Sequence, residues 1–513
     1  MTGWRTKSRI RRMLLALPNS WIMSQIFKCV GLQIIAAELA LMIGLAKKFK
    51  SEFNSRIILY VRSDEEVLGF QYLIQDGTAD DIINCELITS DLRDNLPVSE
   101  GTIEQARAWE ERLGETITTL TFEHRQLSRG FFTGGLGNPR SPIVERAGYE
   151  QVLAAVCKTL DFWERQFTDQ GVTLIINAEK FGATIARSRG IPYRRLFSAK
   201  FDGDHFWSVK ERTEFPNLKH TFDSNIEFDE LGVQGTYFAQ TAKLKKSKFL
   251  VTRSFVVKSL ISAFTIGAYR SYFGSRRGQV RIRDMALSSF RARANFQRYQ
   301  RVAQTNLKDL IDTPYVYFPL HKEPETYMLV SSPEYFNQMA AIIALSKALP
   351  AGWRLALKEH VPAFALRDND FYNRLLDLKN VSLMPVDEPS IDIAQSARAV
   401  ATITGAAGLE ASVFGIPAIQ FGRHMINRFL PHVFTVGDDN NIREFIQRVE
   451  LGEIDRVQAR EDGARFRAAL DHCCFKMPDF MLDFRKLSDG SIEAAFENLI
   501  DGIQKEKGGL EPL

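Results

Sequence analysis

Short apolar runs alternate with longer amphipathic stretches along the first half of the chain. The apolar runs have the length of buried strands, and the stretches between them show helical periodicity. The pattern predicts strands at Ile57–Val61, Val172–Asn177 and Tyr193–Phe197, and helices at Val98–Leu113, Tyr149–Gln166 and Ala178–Arg189. Strands that alternate with helices are typical of a parallel sheet covered on both faces.

The same alternation restarts at Thr313-Pro314. It predicts strands at Tyr315–Pro319, Trp353–Lys358, Val381–Met384 and Ala397–Ile403, and helices at Ser332–Ala348 and Asp370–Leu378. We therefore predict an α/β protein with two doubly wound, Rossmann-like domains that face a cleft, as in the glycosyltransferase-B (GT-B) architecture. The predicted parts are a first domain, a basic helical segment, a second domain and C-terminal helices, at residues 1–240, 241–312, 313–440 and 441–513.

Two N-terminal stretches raise the question of a membrane. The basic leader before Met13 superficially resembles a signal peptide, but its apolar part ends at Pro18 without a cleavage site. The run Cys29–Ala46 is about as long as a membrane span, yet it carries Gln33 and Glu38. We interpret this run as a buried helix of the first domain, with a membrane anchor as the alternative.

Composition indicates a globular protein that has no metal or cofactor. The chain has 513 residues, of which 45% are hydrophobic and 25% charged, which suits two or three ordinary domains. Its five cysteines show no metal-ligand spacing, and HExxH and CxxC patterns are missing. An odd number of cysteines without a disulfide framework favours a reducing cytoplasm.

Charge is concentrated in one segment. Residues 243–301 contain fifteen Lys or Arg and a single acid, Asp284, and aromatic residues are interleaved with them. This mixture suits an anionic membrane surface or an acidic glycan. The alternative is a solvated basic helical face. A nucleic-acid partner is not expected, because no nucleic-acid-binding motif accompanies the segment.

Ionisable residues follow the first two predicted strands of the second domain. His321, Lys322, Glu323 and Glu325 follow the strand that ends at Pro319, and Lys358 and His360 end the next strand. Open α/β sheets bind ligands beyond the carboxyl ends of their strands. The cations could neutralise a phosphate, His360 could protonate a leaving group, and Glu323 or Glu325 could act as a base. Polar surface loops with ion pairing are the alternative.

A glycine-rich turn follows the strand that ends at Ile403. A helix is predicted to begin near Gly408, with Glu410 in its first turn. The free N–H groups at a helix N-terminus bind phosphate, so we predict phosphate contacts from Thr402, Thr404, Gly405 and Gly408. Glu410 would bind a ribose diol or merely favour the helix dipole. Arg423, after a later strand, is a further candidate for binding an anion.

The first domain offers weaker candidates. Asp202 and Asp204 follow a predicted strand, and either could activate an acceptor hydroxyl or simply form a turn. Glu179 ends another strand and is a second candidate of the same kind. We select Asp202, together with Glu325 and His360, as the predicted catalytic residues.

Four segments together resemble the capsule polysaccharide biosynthesis family, which includes bacterial β-Kdo transferases that use CMP-Kdo. They are Tyr-Phe-Pro-Leu-His-Lys-Glu-Pro-Glu (317–325), Lys-Glu-His (358–360), Thr-Gly-Ala-Ala-Gly-Leu-Glu-Ala (404–411) and Gly-Ile-Pro-Ala-Ile-Gln-Phe-Gly (415–422). Two departures are visible. Val361 separates His360 from Pro362 where the family has His-Pro, and Ala406 replaces a hydroxyl residue of the family's glycine turn.

The resemblance implies a metal-independent glycosyltransferase of surface polysaccharide synthesis. Its donor would be a nucleotide sugar, with a CMP-sugar favoured, and its acceptor a glycan or a lipid-linked sugar. The first domain would bind the acceptor and the second the donor. The protein would be cytoplasmic and peripheral at the inner face of the bacterial cytoplasmic membrane. Two alternatives stay open: an epimerase of nucleotide sugars on the same fold, and a non-catalytic membrane scaffold of a polysaccharide assembly complex.

Overall fold

The protein is described by a computed structural model. The described residues are 25–95, 97–122, 124, 127, 142–201, 203–224, 226–228, 251–273, 281–323, 325–437, 441–478 and 486–507.

Thirteen strands in this part of the chain form two sheets. The strands are β1 (Cys29–Gln33), β2 (Arg56–Val61), β3 (Asp81–Asn84), β4 (Leu174–Ile176), β5 (Tyr193–Ser198), β6 (Asp204–Ser208), β7 (Tyr315–Pro319), β8 (Arg354–Lys358), β9 (Val381–Met384), β10 (Ala399–Thr402), β11 (Ala418–Gln420), β12 (Val433–Thr435) and β13 (Phe475–Lys476).

Both sheets have the strand order of a Rossmann fold. The first is β13-β6-β5-β4-β1-β2-β3, in which β1 to β5 are parallel, β6 pairs antiparallel with β5, and β13 pairs antiparallel with β6. The second is β12-β11-β10-β7-β8-β9 and is parallel throughout. Strand order reverses between β1 and β4 in one sheet and between β7 and β10 in the other, and such switch points open a crevice. The predicted pair of doubly wound domains is confirmed.

Helices cover the sheets. Those before the second sheet are α1 (Leu39–Phe53), α2 (Asp64–Gly69), α3 (Tyr72–Gln75), α4 (Ile88–Arg93), α5 (Thr102–Leu113), α6 (Ile117–Phe122), α7 (Pro142–Arg146), α8 (Tyr149–Thr168), α9 (Lys180–Ser188), α10 (Pro216–Asp223), α11 (Arg253–Tyr272) and α12 (Ile282–Val302). Those that follow are α13 (Thr326–Ser331), α14 (Gln338–Ala348), α15 (Phe371–Asp377), α16 (Ser390–Ser396), α17 (Ala406–Val413), α18 (Ile442–Glu450), α19 (Arg456–Cys473) and α20 (Asp489–Lys507).

The prediction of one buried helix over Cys29–Ala46 is wrong. Its first five residues form β1, which is fully buried and pairs with β2 on one side and β4 on the other. The helix begins only at Leu39, after a short 3-10 turn at Ala36–Glu38. A fully buried central strand and a buried helix are both continuously apolar, so periodicity does not separate them. None of the helices among the described residues is long and apolar enough to cross a bilayer.

The C-terminal helices join the two sheets. α19 packs against α10 and α17, and α20 packs on α1 and on the strands β6 and β13. Phe496 and Leu499 of α20 are buried in the first domain's core. A separate apolar cluster contains Phe206 and Phe222 from the first domain together with Tyr317 and Leu409 from the second. The domains are therefore in direct apolar contact.

The described part of the basic segment is helical, as predicted, and its helices α11 and α12 form a hairpin. Ala263 and Met285 pack between the two helices. The end of α12 is anchored in the second domain's core through buried Phe296 and Tyr299. At the other end of the hairpin, Arg281 forms an ion pair with Glu145 of α7, at 2.5 Å. The hairpin thus reaches from one domain to the other.

Candidate functional site

Two polar side chains meet at the switch point of the second sheet. His321 follows β7, and Thr402 is the last residue of β10. The His321 Nε2 atom lies 3.2 Å from the Thr402 hydroxyl and accepts the N–H of Ile403 at 3.1 Å. The strand order places these residues side by side, although 81 positions separate them in the chain. Two of the predicted site residues therefore contact each other.

His321 is neutral in this setting. Its Nε2 atom accepts a backbone N–H, so the ring proton resides on Nδ1. Burial lowers the pKa of His321 to about 3, and the positive charges of Arg367 and His360 act in the same direction. A neutral imidazole donates a hydrogen bond to a ligand but brings no charge to a phosphate, contrary to the predicted neutralising role.

The glycine turn is compact because Thr402 fills it. Gly405 donates its N–H to the Thr402 hydroxyl at 2.8 Å. A Cβ atom on Gly405 would lie 2.6 Å from that hydroxyl and 3.0 Å from His321 Cε1, and one on Gly408 would lie 2.5 Å from the Thr402 methyl. The two glycines are thus required by close packing around Thr402.

The helix after this turn begins earlier than predicted. α17 starts at Ala406, with Gly405 as its N-cap. Glu410 consequently lies in the second turn, and its carboxylate is not placed to favour the helix dipole, which acts within the first turn. Glu410 contributes to the raised pKa of Tyr317, a buried residue of β7. Its carboxylate is therefore within electrostatic reach of Tyr317.

A buried arginine joins the first two strand-end loops. Arg367 forms ion pairs with Glu359 and Glu323, each at 2.8 Å, and donates to the His321 carbonyl at 2.5 Å. Gln338 donates its backbone N–H to Glu323 at 2.6 Å. Burial, the ion pair with Arg367 and the hydrogen bond from Gln338 make Glu323 part of the loop's support, so the suggestion that Glu323 acts as a base is not favoured. A buried charge network of this kind fixes the backbone from which His321 projects.

The other predicted donor-side residues surround this centre. Lys358 ends β8 and donates to the Glu388 carbonyl at 2.5 Å and to the Ser390 hydroxyl at 2.8 Å. His360 is exposed, and its backbone N–H donates to Glu359. Lys322 is partly exposed between two buried neighbours, and Arg423 is exposed after β11.

The second domain meets the first across a narrow pocket beside the glycine turn. The second domain contributes Thr404, Ala406, Leu409 and Tyr327, and the first contributes Phe197, Ser198, Lys200 and Thr213. The hydroxyls of Thr213 and Tyr327 lie 2.5 Å apart. Desolvation lowers the pKa of Lys200, and the carboxylate of Glu325 opposes that shift. The predicted base Glu325 therefore faces a lysine of the other domain.

Carboxylates occupy the switch point of the first sheet. Glu38 follows β1, and Asn177, after β4, donates its side-chain N–H to it. Glu179 is the N-cap of α9. Burial raises the pKa of both Glu38 and Glu179 to about 7, in the second case with the help of the nearby Glu86 charge. Hydrogen bonds and ion pairing with His124, Arg62 and Thr89 lower the pKa of Glu86 to about 2.

The predicted first-domain residues have separate outcomes. Asp202 lies outside the described residues. Asp204 is fully buried and forms an ion pair with Arg467 of α19 at 2.9 Å. It thus links the β6 hairpin to a C-terminal helix, and its alternative as a base is not favoured.

Sequence reasoning missed Arg367, Gln338 and Glu38. Arg367 and Gln338 carry no local signal, because only the folded loops bring their partners together. Glu38 had one: it is the only charged residue within the apolar run 29–46. An isolated charge in a buried segment marks a functional candidate. Among the described residues, no group of three or more His, Cys, Asp or Glu side chains is placed to hold a metal ion.

Comparison with known proteins finds similar solved structures but no matching sequence. No protein-family model matches the chain, and no curated protein sequence matches it. Similar solved structures include KpsC β-Kdo 2,7 transferase of Thermosulfurimonas dismutans, with 14% identity over 66% of this chain and 89% of that chain, at a TM-score of 0.29.

UDP-GlcNAc 2-epimerase of Neisseria meningitidis and MurG of Acinetobacter baumannii are also similar. Their identities are 11% and 10%, each covers 93% of this chain and 99% of its own, and each has a TM-score of 0.27. At these identities and TM-scores, the likenesses assign no activity to this chain.

Proposed function

We propose that the protein is a glycosyltransferase of bacterial surface polysaccharide synthesis, which transfers a sugar from a nucleotide donor to a glycan or lipid-linked acceptor. The donor binds at the switch point of the second domain. The acceptor binds at the facing edge of the first domain. A CMP-sugar such as CMP-Kdo is the favoured donor, because the motif resemblance covers the donor-side loops.

The observation that carries this proposal is the crevice formed by His321, Thr402 and the glycine turn. The N–H groups at the start of α17 and the Nδ1–H of His321 are hydrogen-bond donors around one small space. Gly405 and Gly408 allow the turn to pack directly on Thr402 and so hold these donors close together. A phosphate fits this donor set, and the buried Arg367 network keeps the loop in place before a ligand arrives.

Further donor contacts come from the surrounding predicted residues. Thr404 lines the pocket between the domains. Lys358, His360, Lys322 and Arg423 supply positive or hydrogen-bonding groups at the same edge of the sheet, with His360 as the acid for the leaving phosphate. Glu410 binds the ribose diol. The base is Glu325 or an acid of the first domain.

Donor binding tests the proposal directly. Isothermal titration calorimetry with CMP-, UDP- and GDP-linked sugars is expected to give binding for one nucleotide class. A Gly405→Val variant is expected to lose that binding, because its side chain clashes with Thr402 and His321 and displaces the turn. Gly101→Val, where a Cβ meets nothing within 4 Å, is the matched control. Absence of binding for every nucleotide sugar would contradict the proposal.

The α11–α12 hairpin supports a role at an anionic membrane. Large apolar side chains are exposed on it, among them Phe264, Tyr269 and Phe273, whose exposed fractions are 62%, 63% and 79%. Half of the exposed large apolar residues in the described chain lie on these two helices or at Phe273, the residue after α11. Exposed aromatics together with excess Lys and Arg bind anionic headgroups.

Vesicle sedimentation tests this membrane contact. The protein is expected to sediment with phosphatidylglycerol-containing vesicles and not with pure phosphatidylcholine vesicles. Phe264→Ser with Tyr269→Ser should weaken sedimentation at least several-fold, whereas Tyr149→Ser, also exposed at 69% but on α8, should leave it unchanged. Equal sedimentation of both variants would contradict a role of the hairpin in membrane binding.

An epimerase of nucleotide sugars remains the second candidate, because a carboxylate with a pKa near neutrality could also abstract a proton from a sugar carbon. Product analysis with donor alone separates the two, since an epimerase converts the donor without an acceptor. A non-catalytic scaffold is excluded if His360→Ala and Glu410→Ala abolish glycan synthesis at an unchanged protein level.

A further inference from the structure

Glu38 lies at the place in the first domain that corresponds to His321 in the second. It follows the first strand of its sheet, as His321 follows β7, and it contacts the loop after β4, as His321 contacts the end of β10. Crevices at such switch points are where open α/β sheets bind ligands. Glu38 therefore lies at the switch point, the position at which a ligand of the first domain is expected to bind.

The carboxylate is held in a fixed position. Asn177 donates its Nδ2–H to Glu38, and its own Oδ1 accepts the Leu196 N–H at 3.0 Å. Asn177 has a left-handed backbone, with φ of 61°. A side chain bonded at both ends cannot rotate away, so Asn177 positions the Glu38 carboxylate.

Arg195 connects the surroundings of Glu38 with the boundary to the donor domain. Arg195 of β5 acts electrostatically on Glu38 and on Tyr327 of α13. Tyr327 contacts the ring of Phe197 at 5.9 Å and the hydroxyl of Thr213. α13 directly follows the loop that contains His321 and Glu325. Glu38 is thereby on the side of the first domain that faces the donor site.

Most other buried acids of the first domain already have cations. Glu211 binds Lys180 and Arg187 at 3.0 Å, Asp204 binds Arg467, and Glu86 lies beside Arg62. Burial raises the pKa of Glu38 to about 7, with Arg195 as the charged group that opposes the shift. A carboxylate of this kind accepts a proton near neutral pH. Glu179 is the other buried acid of this domain whose pKa is raised, and the nearby charge of Glu86 contributes to that shift.

We propose that Glu38 is the general base of the transfer reaction and that Asn177 is its positioning residue. The acceptor hydroxyl gives its proton to the Glu38 carboxylate, and the acceptor oxygen forms a bond to the anomeric carbon of the donor sugar. The bond from that carbon to the phosphate oxygen breaks, and its electron pair leaves on the nucleotide phosphate. This inference rests on the proposed function and assigns the base that it left open.

The test uses the full chain and whichever CMP-, UDP- or GDP-sugar calorimetry selects. The rate of donor consumption, summed over all products, is measured between pH 5 and 9 with water and glycerol as acceptors. The wild-type rate is expected to rise with pH to a plateau above about pH 7. Glu38→Gln should lower the plateau about 100-fold or more and remove the rise, with donor affinity unchanged within twofold.

Controls separate this role from a structural one. Formate should partly restore the rate of Glu38→Ala, because it supplies a carboxylate to the vacated space. The exposed Glu111→Gln should keep the wild-type rate and pH profile. Glu179→Gln and Glu325→Gln test the two rival bases.

Three results would overturn the assignment. The first is a Glu38→Gln enzyme that keeps the rise with pH and more than a tenth of the rate. The second is a rise that disappears in Glu179→Gln or Glu325→Gln instead. The third is a wild-type protein that binds donor but turns over none at any pH. By contrast, a wild-type protein that binds no nucleotide sugar contradicts the proposed function itself.

Discussion

The two switch points share a topology but differ in chemistry. In the second domain, the crevice holds a neutral histidine, backbone N–H groups and glycines. In the first domain, it holds carboxylates, of which Glu38 and Glu179 have a pKa of about 7. One edge is suited to binding an anion without supplying a proton acceptor, and the other to accepting a proton.

The difference also appears in how pH affects stability. The pKa of His321 falls from 6.5 to about 3 on folding, so the unfolded chain binds more protons and stability is lost as pH falls through that range. The pKa of Glu38 rises from 4.5 to about 7, so the folded chain binds more protons and stability is lost as pH rises through that range. The stability contributions of the two crevices thus change with pH in opposite directions.

Removing Arg367 is expected to have the largest effect, and it affects only the donor side. Arg367→Met leaves Glu323 and Glu359 buried without their cation, which should cost about 3 to 5 kcal/mol of unfolding free energy. Urea unfolding followed by circular dichroism measures this loss. A second variant, Arg367→Met with Glu323→Gln and Glu359→Gln, should regain part of it.

Arg374→Met is the matched control for that loss. Its ion pair with Asp368 is half exposed on both sides, so the variant should lose less than about 1 kcal/mol. Equal losses for Arg367→Met and Arg374→Met would show that the donor loops do not depend on a buried network.

A methyl group in the glycine turn should have the next largest effect. Gly405→Ala places a Cβ atom 2.6 Å from the Thr402 hydroxyl, and overpacking of this kind costs about 1 to 3 kcal/mol. Thermal unfolding and donor calorimetry measure the loss of stability and of binding. Gly490→Ala, where a Cβ meets nothing within 4 Å, should be neutral or slightly stabilising; a similar loss there would contradict the packing argument.

Sequence patterns predicted the second domain better than the first. Strands β7, β8 and β9 differ from their predicted ranges by at most one residue at either end, because each is a short apolar run followed by a polar loop. Strand β1 was read as helix, since a fully buried central strand has no periodicity.

Some residues of the candidate site could likewise be predicted from the sequence, and others could not. His321, Thr402 and Gly405 were predicted from strand-end position and do meet. Arg367 could not be predicted, because its partners lie 8 and 44 residues away and approach only in the folded loops. The role of Glu38 could not be predicted, because the run that contains it is predicted as one helix. A polar residue within a helix does not indicate the edge of a sheet.

Removing the charge of Glu38 should raise the stability of the protein, whereas the substitutions of Arg367 and Gly405 should lower it. Glu38→Gln should stabilise the protein at pH 8, by about 1 to 3 kcal/mol, because the wild-type carboxylate is charged there in a partly buried site. At pH 5 the two proteins should have equal stability, since the wild-type group is protonated. Thermal unfolding at both pH values measures this. A variant that is less stable at pH 8 would show that the charge is not costly.

The smallest expected effect concerns the contact that joins the two crevices. Tyr327→Phe removes the hydroxyl contact with Thr213 across the cleft, which should cost about 1 kcal/mol, and Thr213→Val should cost a similar amount. A double-mutant cycle by urea unfolding isolates their coupling. If the contact holds the proton-accepting edge beside the phosphate-binding edge, the coupling is non-zero, and each single variant lowers the transfer rate while donor affinity stays the same. Zero coupling together with an unchanged rate would mean that each crevice is positioned by its own domain, and the apolar cluster around Phe206 and Tyr317 would then suffice to hold the domains together.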